Sequence, residues 1–372
     1  MSEGESQATT VAAADAPAAA DPSHVTEEPS KTEATPAIEE HAKEETSEEN
    51  PAFTAEETTK EEAHKVKPAP APGITVPAAP VDETKDAPQA AEEPTKEAAK
   101  TSPLQDLWTT AQSHAYKEIW GVTLQDPATH VPSQVVLQKY LNANDGDLVK
   151  AKDQLTKTLD WRAEMKPLEL ITQKYSKEKF GSLGYVTTYE GGEKEAGARE
   201  VLTWNVYGNV KSIDVTFGDL NEFIRWRVAL MELAVQELHL SAATTPIGSD
   251  PDADPYKMFQ VHDYKGVSFL RQAPQVKAAS TETIRVFATA YPELLKEKFF
   301  VNVPAVMGFM YSFIKLFVAA RTARKFHPMS NGGGLAKENF GGSKVPLGDK
   351  LPPEYGGKGA DLKTQGKEPE VE

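Results

Sequence analysis

The chain has 372 residues and a net charge of −16, from 56 acidic and 40 basic side chains, and it contains no cysteine. Disulfides, thiolate metal sites and cysteine nucleophiles are therefore excluded. The acid is concentrated at one end: residues 1–100 hold 23 Asp/Glu and 8 Lys/Arg, so the remainder is nearly neutral, and nucleic-acid binding through a basic face is not expected.

Residues 1–101 are rich in Ala, Pro, Glu, Thr and Lys, with Phe53 as their single aromatic residue. Such a segment cannot bury enough apolar surface to offset its ordering entropy, and it reads as a disordered acidic tail. Glu3 and Glu5 open the chain with no apolar core behind them, so no signal peptide is expected. A cytoplasmic protein able to touch membranes is the expectation.

Residues 102–166 read as helical. Leu104, Leu107, Trp108, Ala111, Ala115, Ile119 and Trp120 fall at helical spacing and predict a first helix. A second is predicted over 133–143. Asn144-Asp145-Gly146-Asp147 is a tight turn, with Asp147 as N-cap of a third helix over 148–164.

From Pro167 the pattern becomes mixed. Strands are predicted at 183–189 and 200–207, a helix at 217–240, a loop at 241–255 and a strand at 258–267. A helix at 281–298, a strand at 299–304 and an apolar helix at 305–320 follow. Helices alternating with strands imply a largely parallel sheet with helical cover. The apolar run after Phe299 raises the alternative of a membrane span. Pro304 divides that run, however, and neither half reaches the roughly 20 residues a span needs. Peripheral association with a membrane surface is expected instead.

Common enzyme signatures are missing. There is no Gly-Lys-Ser/Thr phosphate loop, no Gly-x-Gly-x-x-Gly, no His-Glu-x-x-His and no Gly-x-Ser-x-Gly. The glycines at 332–334 read as a loop. Two strands are unusual. Met258, Gln260, His262 and Tyr264 share one face, as do Val201, Thr203, Asn205 and Tyr207. A central parallel strand is ordinarily apolar on both faces. The polar faces imply solvent exposure, satisfied core polarity, or a pocket lined with His and Tyr.

Several segments resemble a known family. Tyr291-Pro292-Glu293, then Val301-Asn302-Val303-Pro304, then the apolar helix are similar to the C-terminal half of CRAL-TRIO lipid-binding domains. Leu351-Pro352-Pro353-Glu354-Tyr355-Gly356-Gly357 resembles that family's closing segment. The resemblance implies an α/β CRAL-TRIO lobe over 167–357: a largely parallel mixed sheet with helical cover and a gate helix near 305–318. It implies an all-helical N-terminal subdomain over 102–166, and leaves 358–372 as a mobile tail. One departure stands out. Asn142-Ala143-Asn144-Asp145-Gly146 occupies the turn where the family often carries Arg-Ala-Arg-Lys-Phe.

The run from Gln260 to Ser268 (Gln-Val-His-Asp-Tyr-Lys-Gly-Val-Ser) resembles one subfamily more closely: fungal phosphatidylinositol transfer proteins whose pocket holds haem b. Trp204-Asn205-Val206-Tyr207-Gly208, Phe223-Ile224-Arg225-Trp226-Arg227 and Lys296-Glu297-Lys298 are similar to it as well. The resemblance implies Tyr264 as axial phenolate ligand of ferric iron, with His262 beside it. It implies Tyr207, Arg227 and Lys298 as further haem contacts. The chemistry suits those roles. A tyrosinate is a hard anionic donor to haem iron. A ferric ion supplies the charge that removes the phenol proton. Arg and Lys suit propionates. Whether His262 ligates the iron or hydrogen-bonds near it stays open.

The expected function is a non-enzymatic haem b carrier that exchanges or presents phosphatidylinositol, at cytoplasmic and endoplasmic-reticulum membrane surfaces. Two rivals remain: a peroxidase- or catalase-like haem enzyme using the same pocket, and an interaction module worked by the acidic tail.

Overall fold

The computed structural model describes residues 102–267, 273–304 and 320–372. The acidic segment 1–101 and the gate helix expected near 305–318 lie outside the described residues.

Helix α1 is Pro103–Gln112, capped by the Ser102 hydroxyl, which accepts from the Gln105 N–H. It was expected to reach Trp120 but ends eight residues earlier. Glu118–Ile119 (β1) and Val122–Thr123 (β2) instead form a small hairpin. Trp120 at φ 57° and Gly121 at φ 80° make its turn. Trp120 is buried all the same: it stacks on Tyr140 at 5.6 Å, and its indole N–H donates to the Ala290 carbonyl at 3.0 Å. Its apolar spacing thus reports a core position and not a helix stripe. Helix α2 is Val131–Ala143. The turn after it holds Asp145 and Gly146 at positive φ. Asp147 then caps α3, Leu148–Met165, by accepting from the Val149 and Lys150 N–H groups. Two single turns follow, α4 (Pro167–Leu170) and α5 (Lys177–Phe180).

The main sheet has five strands: β3 (Gly184–Glu190), β4 (Arg199–Val206), β5 (Met258–Asp263), β6 (Leu295–Val301) and β7 (Phe326–Pro328). They lie in sequence order, with β3 and β4 an antiparallel hairpin and every later pairing parallel. Parallel neighbours need long crossovers. The short α6 (Ile213–Phe217) and the long α7 (Leu220–Gln236) carry the chain from β4 to β5, and α8 (Pro274–Ala290) carries it from β5 to β6.

The expected helix at 281–298 is displaced. Helix α8 begins seven residues earlier and stops at Ala290. Pro292 disfavours helical backbone at Tyr291, and Glu293 turns the chain at φ 55°. Lys296, Glu297 and Lys298 are therefore strand residues.

The sheet has two unlike faces. Trp204, Phe259, Val261, Phe299 and Val301 pack against Leu335, Phe340, Leu351 and Tyr355 of the C-terminal segment, as a largely apolar core. On the other face Val186, Val201 and Met258 join the core built on α7 and α8.

The mobile tail expected at 358–372 is also corrected. Lys367 exchanges two backbone hydrogen bonds with Val186, at 2.7 and 2.9 Å, and the Glu372 N–H donates to the Tyr175 carbonyl at 2.9 Å. Leu362 is buried in the apolar core. Strand β3 is the sheet edge, and its unpaired N–H and C=O groups give the tail partners that composition does not reveal.

Candidate functional site

Parallel pairing aligns Thr203 with Gln260, Asn205 with His262, Gln260 with Lys298 and His262 with Phe300. Paired residues project on the same side of a sheet. The six thus stand side by side on the face that meets α7 and α8. Arg227 descends from α7, its guanidinium 5.0 Å over the Phe287 ring of α8. Tyr207 and Tyr264 follow the last residues of β4 and β5. Their rings lie 5.4 Å apart, and Tyr207 meets the His262 ring edge-on at 5.6 Å. Phe300 touches both His262, at 5.7 Å, and Tyr264, at 6.4 Å. The Lys298 ammonium sits 5.3 Å over Phe300 and 5.7 Å over Phe326. All five residues singled out in the sequence (Tyr207, Arg227, His262, Tyr264 and Lys298) therefore gather at one face, around the carboxyl ends of β4 and β5.

The electrostatics of this face are unusual. Arg227 is 2% exposed, and neither it nor Lys298 has an ion pair among the described residues. Burial, with Arg227 adding repulsion, brings Lys298 down to about 7. Burial, then Lys298 and Arg227, hold His262 well below its usual value, so its imidazole is neutral. Burial, then Tyr207, pushes the Tyr264 phenol up, with Arg227 pulling the other way. Tyr264 is a phenol until a cation displaces its proton. Six buried atoms here have no hydrogen-bond partner among the described residues: Arg227 Nε and Nη1, Thr203 Oγ1, Asn205 Nδ2 and Oδ1, and His262 Nε2. An unmet buried polar group costs about 1–3 kcal/mol, and a buried unpaired charge costs more. So many on one face mark a surface built to meet a ligand.

Asp263 fixes the strand end from the opposite face. Its carboxylate accepts from the Tyr355 hydroxyl at 2.8 Å, the Asn302 amide at 2.7 Å and the Lys265 N–H at 2.8 Å. With Asp263 held on one side, its neighbours His262 and Tyr264 are directed to the other. Asn302 Oδ1 also accepts from the Gly332 N–H at 2.7 Å. A Cβ at Gly332 would come within 2.6 Å of the Asn302 amide, so a larger residue there would displace Asn302 from these bonds. Sequence reasoning missed any chemical role for Asn302 and Tyr355. Each was visible only as part of a recurring segment.

A cleft of about 900 Å³ opens at the amino ends of the parallel strands, lined by Arg199, Lys257 and Lys296 among others. Three of its cations are matched internally: Arg199 by Glu237, Lys257 by Glu293 at 3.3 Å and Lys296 by Glu200 at 2.8 Å. Of its buried polar atoms Arg199 Nε has no hydrogen-bond partner among the described residues, against six such atoms on the first face. Among the described residues no group of three or more His, Asp or Glu could hold a bare metal ion. An iron carried in a porphyrin needs only one or two protein ligands.

Comparison with known proteins identifies the fold. A model of the CRAL/TRIO domain matches residues 202–357, and one of the CRAL/TRIO N-terminal domain matches residues 90–157. The chain is 66% identical over 273 residues to phosphatidylinositol transfer protein SFH5 of Chaetomium globosum, covering 73% of this chain and 62% of that protein. It is 59% identical over 279 residues to phosphatidylinositol transfer protein sfh-5 of Neurospora crassa, covering 74% of this chain and 76% of that one. A solved structure described as the crystal structure of Sfh5 superposes with a TM-score of 0.58 at 27% identity, covering 71% of this chain and 91% of that one. The relatives are named as transfer proteins and not as enzymes.

Proposed function

The chain belongs to the CRAL/TRIO family, and from that premise we propose that it is a non-enzymatic carrier that holds ferric haem b and exchanges phosphatidylinositol at membrane surfaces. The lipid activity is supported by the names of the relatives. The haem is supported by one observation above all: two cations, the buried Arg227 and the half-buried Lys298, share a face with a phenol and a neutral imidazole, and the cations have no carboxylate partner among the described residues. A ligand that brings two carboxylates and a metal cation meets every one of these needs. Arg227 and Lys298 would take the propionates, Tyr264 the iron, and Tyr207 and His262 would line the cavity beside it. Bound haem supplies a ferric centre that favours an anionic oxygen ligand.

The protein's own residues prepare for this. Arg227 favours the phenolate form of Tyr264 and helps keep His262 neutral. A neutral imidazole can hydrogen-bond in the cavity without opposing a cationic iron. Among the described residues no helix is long and apolar enough to cross a membrane. The proposed site of action is the surface of cytoplasmic membranes such as the endoplasmic reticulum.

The test is the absorption spectrum of the full chain purified from haem-replete cells, alongside Tyr264→Phe and His262→Ala. The expected result is a ferric species with a phenolate charge-transfer band, which Tyr264→Phe abolishes and His262→Ala only perturbs. An unchanged spectrum in Tyr264→Phe with haem lost in His262→Ala would make histidine the ligand. Transfer of labelled phosphatidylinositol between vesicles tests the lipid arm, and no transfer above a protein-free control refutes it.

A further inference from the structure

The unmet atoms of the pocket face divide by chemistry. Arg227 offers donors only, and with Lys298 it suits anionic groups. The other four atoms, Thr203 Oγ1, Asn205 Nδ2 and Oδ1, and His262 Nε2, belong to a hydroxyl, an amide and an imidazole. They also cluster. Asn205 pairs with His262 across β4 and β5, and Thr203 lies two residues back on the same face. Thr203 and Asn205 are each 1% exposed and His262 is 7% exposed. A buried asparagine whose role is structural normally spends its amide on backbone or side-chain partners. Asn142, for example, donates to the Gly248 carbonyl at 2.9 Å and accepts from Gln138 at 2.8 Å. Asn205 does neither.

The set contains both donors and acceptors. An amide offers two N–H groups and a carbonyl, a hydroxyl offers one of each kind, and a neutral imidazole nitrogen offers one or the other. An anion would meet the acceptor lone pairs unfavourably. A group that both gives and receives a hydrogen bond would satisfy them. We infer that Thr203 and Asn205, with His262 beside them, form a polar subsite of the pocket that receives an uncharged hydroxylic oxygen of the bound ligand. Two sources share that chemistry: a water carried on a haem iron and a hydroxyl of an inositol headgroup. The subsite rests on the reading of this face as a ligand pocket, and it adds recognition of an uncharged group to the anion recognition proposed above.

The test uses the full chain with Asn205→Leu and Thr203→Val, each close in size to the residue replaced. Three quantities are read. They are the thermal midpoint of ligand-free protein, the ferric spectrum and haem release rate into excess apomyoglobin, and the uptake of phosphatidylinositol from phosphatidylcholine vesicles containing it. Removing unmet polar atoms should leave the midpoint of the ligand-free protein unchanged or higher. If the group is an iron-borne water, the spectrum shifts and haem leaves about tenfold faster, while lipid uptake holds. If it is an inositol hydroxyl, lipid uptake weakens about tenfold, while the haem spectrum holds. Either result supports the subsite. Wild-type behaviour toward both ligands overturns it and leaves ordered water as the partner. A lowered midpoint with ligand binding intact also overturns it, since the residues would then be structural. A failure of the haem reading is separately visible, as a wild-type chain that takes up no haem, and the lipid arm still decides the subsite.

Discussion

Lys298 carries the clearest pH dependence of any single residue. Its folded value is about 7, against about 10.4 in an unfolded chain. Between those values the unfolded chain holds a proton that the folded, ligand-free protein lacks. The penalty of the half-buried ammonium is fully present below pH 7 and relaxes as pH rises toward 10, so the ligand-free protein gains stability across that window. An anionic ligand reverses the sign. It favours the ammonium, so binding takes up a proton above pH 7, and affinity falls as pH rises. Lys298→Met should flatten both trends and weaken haem retention about tenfold, by the loss of one charge-assisted hydrogen bond. Denaturant titrations and haem release at a series of pH values check this. A wild-type stability that falls between pH 7 and 10 through this residue contradicts it. Residues of this kind are only partly legible in a sequence. The period-2 alternation of Gln260, His262 and Tyr264 exposed their shared face, and it did the same for Thr203 and Asn205. Arg227 enters the pocket only through the family resemblance, because no local pattern tells that α7 is buried on several sides, with Phe223, Trp226 and Leu230 all enclosed.

At the scale of elements, strands were easier to find than the ends of helices. Strands β3, β4 and β5 lie within a few residues of their expected places, because β-branched and aromatic runs bounded by turns are local signals. Helix α1 was read too long because Ile119 and Trp120 are core residues of a hairpin, and apolar spacing reports burial whichever backbone delivers it. Helix α8 and β6 were divided at the wrong point because Lys296 and Lys298 look helical, although Pro292 stood where the helix must already have ended. The end of β5 offers a prediction of its own. The buried Asp263 carboxylate holds the strand terminus through Tyr355, Asn302 and Lys265. Tyr355→Phe removes one donor from it without changing the ring that packs on Trp204 at 4.7 Å. The expected cost is about 1–3 kcal/mol in chemical denaturation, with a smaller shift in the ferric spectrum as Tyr264 loosens. A loss below about 0.3 kcal/mol would mean that Asn302 and Lys265 suffice.

Across the whole molecule, the join between the helical N-terminal part and the lobe was the least legible feature, because it depends on residues far apart in sequence. Arg162 of α3 is fully buried. Its guanidinium bonds Glu232 of α7 at 2.7 Å and Glu118 of β1 at 2.8 Å. Tyr291, just after α8, donates its hydroxyl to the same Glu232 at 2.6 Å. Burial and the Glu232 carboxylate push that phenol well above its usual value, so it stays a donor. One charge therefore ties four elements together, and the two parts should unfold as one. Arg162→Met fills similar space but leaves the Glu232 carboxylate buried with Tyr291 as its main partner. Breaking one side of such a network costs about 3–5 kcal/mol. The expected result is a single, cooperative melt at a lower midpoint. Adding Glu232→Leu to Arg162→Met should recover part of the loss, because it removes the stranded charge. Two transitions in calorimetry of the wild-type chain, with the mutation shifting only the first, would show instead that residues 102–166 unfold apart from the lobe.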